Sequence, residues 1–133
     1  MTSDNRRRNA ELELARAVEV SEEVEVLLTA RKWTGAVART YYAMFHLARA
    51  LLFALGLEAT THAGVAHLLN VHLVRAGRFP AAQVRALRQL QRLREDADYD
   101  PAMVFDEAAA LDSRAWLVDF RGQAEALVEE LLA

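Results

Sequence analysis

Apolar residues recur at three- and four-residue steps along nearly the whole chain, the spacing that lines up one face of an α-helix. Five helices are predicted. The first, from about Arg7 to Thr29, draws its apolar side from Leu12, Leu14, Val18, Val24, Leu27 and Leu28, and its acidic SEEVE stretch is a place where it could bend or divide. The second, from Trp33 to about Leu55, carries the stripe Val37, Tyr41, Met44, Ala48, Leu51, Leu52 and Leu55, with Gly56 placed to stop it. A Thr60-Thr61 pair can cap a third helix that runs from His62 to about Arg75 and ends at Gly77. Pro80 suits the first turn of a fourth, and Pro101 forces its end after Tyr99. The fifth, from Asp106 to Leu132, presents Leu111, Trp116, Leu117, Phe120, Leu127 and Leu131. Connections this short make neighbouring helices antiparallel, so the expected fold is all-α: a five-helix up-down antiparallel bundle, one domain over residues 1–133.

Composition agrees with helix and removes several kinds of chemistry. The chain has 26 Ala, 20 Leu and 15 Arg, but no Ile and a single Lys. With no Cys, thiol nucleophiles, disulfides, zinc ribbons and iron–sulfur clusters are excluded. The four His residues, His46, His62, His67 and His72, have no metal-ligand spacing, so no metal is expected. No GxxxxGK[ST] loop, GxGxxG turn or GxSxG elbow occurs, and no cofactor is expected. The chain offers no secretory apolar stretch and no run of ~18 uninterrupted apolar residues, which makes no membrane association and a cytoplasmic location the expectation.

The formal net charge of −3 conceals an asymmetry. Residues 59–94 carry six Arg and no acid, whereas residues 95–133 carry eleven acids and two Arg. Such a division makes either an anion-binding surface or two oppositely charged helices that pair. A pI near 5.8 argues against a dedicated, strongly basic nucleic-acid binder.

The residues that amphipathicity does not explain are the informative ones. Arg94 projects between Leu87 and Leu90, inside the apolar face of the fourth helix, where a guanidinium needs a partner. Asp98, four residues on, is at the spacing to supply one, as a helix-locking salt bridge or as part of a site. Tyr99 falls on the outward side, accessible to an anion or packed against the fifth helix. Arg85, Arg88 and Arg92 lie together on that outward side, either solvated or as a phosphate-facing stripe for nucleotide or RNA. On the second helix, opposite its core stripe, stand Arg39, Tyr42, His46, Arg49 and Phe53. This aromatic, Arg-rich face suits a homodimer seam, with packing on the first and fifth helices as the alternative. His62, beside the capping threonines, reads first as a capping or packing residue.

Four segments resemble the short, stand-alone prokaryotic form of the higher eukaryotes and prokaryotes nucleotide-binding (HEPN) domain. AVARTYYAMFHLARALLFALGL is similar to that family's long second helix, THAGVAHLLNVHLVRAGRFP to its third, LRQLQRLREDADYDPAMVF to its fourth, and AWLVDFRGQAEALVEEL to its last. The resemblance implies an all-α bundle, a homodimer, and pairing with a minimal nucleotidyltransferase (MNT) in a toxin–antitoxin-like or defence module. It also implies, for many members, metal-independent cleavage of RNA by an Arg followed four to six residues later by His. Arg94 matches that Arg. At the His position stands Tyr99, and no His follows His72. A tyrosine with an ordinary pKa near 10 is a poor general base at neutral pH.

Three functions follow. The first is a homodimeric nucleotide-, RNA- or partner-binding module with a degenerate motif at Arg94, Asp98 and Tyr99. The second is an active endoribonuclease toxin in which His46 or His62 supplies proton transfer. The third is a purely structural helical dimer locked by the Arg94–Asp98 pair.

Overall fold

The computed structural model describes all 133 residues as helices joined by short turns, without a strand: α1 (Ser3–Thr29), α2 (Trp33–Ala54), α3 (His62–Leu69), α4 (Ala81–Tyr99) and α5 (Glu107–Leu132). The all-α expectation holds. Helix starts are set by local oxygen acceptors for otherwise free N–H groups. The hydroxyls of Thr2 and Thr61 accept from Asn5 N and Gly64 N, and the Asp106 carboxylate accepts from Ala109 N. α2 ends as its glycine predicts: Gly56 has φ 80°, its N–H donates to Phe53 O, and Leu57 N donates to Leu52 O, both at 2.9 Å.

Long helices alternate in direction. Glu23 of α1 meets Arg39 of α2, and Glu13, earlier in α1, meets His46 and Arg49, later in α2. Arg78, just before α4, reaches Glu130 of α5, while Gln83 donates to Asp119 at 2.6 Å. Arg7 donates to Leu132 O at 2.6 Å and Arg114 pairs with Glu25, so α1 and α5 also run antiparallel. A single cluster of 30 buried apolar residues lies between these helices, with Tyr41, Phe120 and Met44 its largest fully buried members.

Three expectations need correction. α1 runs unbroken through SEEVE; Val24, Leu14, Leu27 and Leu28 face the core as expected, but its fully buried positions are Ala10, Ala17, Val20 and Val24, whereas Leu12 (58% exposed) and Val18 face outward. The reason is the partner surface. Ala36, Ala43 and Ala50 of α2 recur every seven residues and are fully buried, as are Ala10 and Ala17 of α1, so small side chains carry the close α1–α2 packing. The third helix does not continue to Arg75 as an α-helix. After Leu69 it becomes a π-helical turn over Asn70–Val74, closed by Arg75 N donating to Asn70 O at 3.0 Å, with Leu69 and Leu73 buried across it. Leu111, assigned above to the apolar side of the fifth helix, is exposed.

Candidate functional site

α4 and α2 meet where Arg94 faces two tyrosines. The Arg94 guanidinium carbon lies 5.2 Å from the Tyr41 ring centroid and 5.4 Å from that of Tyr42, within cation–π range of both. Its side chain is 14% exposed. Nη1 donates to Asp98 Oδ2 at 2.8 Å and to the Tyr42 hydroxyl at 3.3 Å, and Nη2 lies 3.9 Å from Glu95 Oε1. Nε is buried and makes no hydrogen bond. A buried guanidinium N–H without an acceptor carries a desolvation cost, so this group is incompletely satisfied by the chain itself.

Tyr41 lies in the core stripe, as its spacing predicts. It is 1% exposed, yet its hydroxyl lies 2.5 Å from His62 Nδ1 at the start of α3. The Phe45 ring packs on the imidazole with centroids 4.5 Å apart. Burial pushes the Tyr41 phenol far above its ordinary pKa, with the Arg94 charge opposing part of the rise. Burial and then the positive charge of Arg94 hold the His62 imidazole below its usual value, which keeps it neutral. One signal was available: a tyrosine within an apolar stripe needs a partner for its hydroxyl.

The other candidate residues divide between this site and the scaffold. Asp98 is 61% exposed and reaches Arg94 from the solvent side. Tyr99, 89% exposed, stands at the end of α4 and is not packed against α5. Arg85, Arg88 and Arg92 are exposed along α4. The α2 face proposed as a seam is engaged within the chain. Arg39 pairs with Glu23, His46 contacts Glu13 at 2.6 Å, and Arg49 reaches the same Glu13 carboxylate at 3.3 Å. Phe53 is buried beneath Arg49. Of that face, Tyr42 is the residue that touches Arg94. No group of three or more His, Asp or Glu residues is arranged to hold a metal ion.

No helix is long and apolar enough to cross a membrane. The family model described as the HEPN domain matches residues 10–130. Among curated relatives, a UPF0332 protein of Gloeobacter violaceus is 47% identical over 50% of this chain and 52% of its own length, so that match spans about half of each protein. The protein named "Putative toxin" of Methanocaldococcus jannaschii is 33% identical over 73% of this chain and 75% of its own. A UPF0332 protein of Thermotoga maritima is 30% identical over 87% of this chain and 88% of its own.

Proposed function

Because the chain belongs to the HEPN domain family, we propose that it is a phosphate-recognising module that binds RNA or nucleotide at Arg94, working as one domain over residues 1–133. The observation that carries this reading is the Arg94 guanidinium itself, backed by two tyrosine rings and paired chiefly with an exposed carboxylate that a phosphate can displace. In this reading Asp98 gates the guanidinium and Tyr99 stands exposed at the rim. Arg85, Arg88 and Arg92 offer further positive charge along α4.

The relative named a toxin supports a toxin-like role. The family resemblance adds a homodimer and an MNT nucleotidyltransferase partner of a toxin–antitoxin-like or defence system. Since Arg39, His46 and Arg49 are occupied by α1 carboxylates, a dimer using the α2 face would use Tyr42 and the outer edges of those ion pairs. Metal-independent RNA cleavage is the second reading. It is favoured by one observation: an imidazole, His62, shares Tyr41 with Arg94, whereas His46 is committed to Glu13.

The test uses the full chain and Arg94→Ala, shown folded by circular dichroism and sized by light scattering, with total RNA in EDTA. Retention of RNA by the wild type and its loss in the variant supports binding at Arg94. Equal retention by both overturns it. Fragmentation by the wild type alone raises the second reading over the first.

A further inference from the structure

The Tyr41–His62 contact does more than fill space. Tyr41 is enclosed in the core, and its hydroxyl meets His62 Nδ1 at 2.5 Å. The phenol, kept protonated by burial, has a proton to donate to Nδ1. When the phenol donates in this way, the proton of the neutral imidazole is on Nε2, the nitrogen turned away from Tyr41. Phe45 packs on the ring and limits its rotation. A half-buried imidazole is thus held in place beside the same tyrosine ring that supports Arg94. The other imidazoles have no such arrangement: His46 is bound to Glu13, and His67 and His72 are exposed.

We propose that His62 Nε2 is the second ligand-contacting group of the Arg94 site, donating to a phosphodiester oxygen of RNA, and that Tyr41 is the positioning residue that aims it. The inference rests on the reading that Arg94 receives phosphate, and adds a contact from a different helix. Arg94 supplies a permanent charge and His62 a directed neutral donor, a combination that suits one phosphate with oxygens in two directions. His62 is also the first residue of α3, where the positive end of the helix dipole favours an anion. Asp98 and Glu95 oppose the anion from α4, so the imidazole contributes where Arg94 alone is largely neutralised.

The groups facing His62 are Tyr41, Phe45 and Arg49 of α2 with Arg94 and Glu95 of α4. A bound phosphate adds negative charge beside the imidazole and favours its protonated form, so affinity should rise as pH falls from 7.5 to 5.5. A one-unit difference in His62 pKa between free and bound protein gives up to about tenfold. Binding of a 2′-O-methyl RNA oligonucleotide, which cannot be cleaved through its 2′ position, is measured by fluorescence anisotropy across this range in EDTA. His62→Gln is expected to weaken binding and flatten the pH dependence, while a His67→Gln/His72→Gln variant keeps it. Tyr41→Phe preserves ring packing, and the His62 pKa followed by NMR should move up once Nδ1 loses its donor.

If Arg94→Ala abolishes binding while His62→Gln leaves affinity and pH dependence unchanged, the His62 role is overturned and the Arg94 reading stands. If the wild type binds no RNA, both fall. If ATP binds with the His62-dependent slope and RNA does not, the assignment to RNA is overturned in favour of a free nucleotide.

Discussion

Arg94 and Asp98 form one ion pair whose ends lie in different surroundings: the arginine side chain is 14% exposed and the aspartate 61%. The sequence spacing suggested a lock for α4, with a semi-buried pair costing ~3–5 kcal/mol if broken. An exposed carboxylate lowers that figure, because water solvates much of what the pair would lose. In the proposed reading Asp98 yields its place to a phosphate and does not lock the helix.

Asp98→Asn is therefore expected to cost about 1 kcal/mol or less, measured by urea unfolding. The same variant should bind RNA several-fold more tightly, since it removes the carboxylate that competes for Arg94. Weaker RNA binding by a fully folded Asp98→Asn would show that the carboxylate takes part in the site and is not displaced.

Glu13 anchors the α2 face to α1. Its side chain is 15% exposed and holds both His46 and Arg49. Glu13→Ala should destabilise the fold by about 1–3 kcal/mol, because two half-buried donors lose their acceptor. Its RNA affinity, read on the same folded sample, should match the wild type.

The α1–α2 contact depends on small side chains. Ala43 is fully buried on the heptad that also contains Ala36 and Ala50. Ala43→Leu should lower stability by about 1–3 kcal/mol through overpacking, seen as a fall in the denaturant midpoint. An unchanged midpoint would mean that the two helices separate freely to admit the larger residue.

Stability should also follow His62. Its folded-state pKa is lowered, so as pH falls below the ordinary histidine value the unfolded chain takes up the proton first. The native state consequently loses stability as pH falls from near 6.5 towards the folded pKa, and none of this loss is present above that window. The Tm of the wild type should drop more than that of His62→Gln between pH 7 and pH 5.5.

Helix bounds were legible in the sequence wherever a local signal set them. Gly56, Thr61 and Pro101 act locally, and α2 ends, α3 begins and α4 ends beside them. The buried side of α1 was less legible. Large residues such as Leu12 and Val18 dominate its periodicity, but its neighbour selects alanines. Arg94 stood out because it interrupts a single helix face. The Tyr41–His62 pair did not, since it joins residues 21 positions apart on different helices and only tertiary packing brings them together. The contacts that the charged face of α2 makes within the chain were hidden for the same reason. Its partners, Glu13 and Glu23, are on another helix.

The central claim is that a phosphate meets the Arg94 guanidinium. The most direct measurement follows the Arg94 side-chain N–H resonances by NMR, assigned with Arg94→Lys, while the 2′-O-methyl RNA oligonucleotide is added. A saturable shift of those resonances, with a midpoint matching the dissociation constant from anisotropy, is the expected result. Saturable RNA binding that leaves them unmoved and shifts only those of Arg85, Arg88 or Arg92 would contradict it.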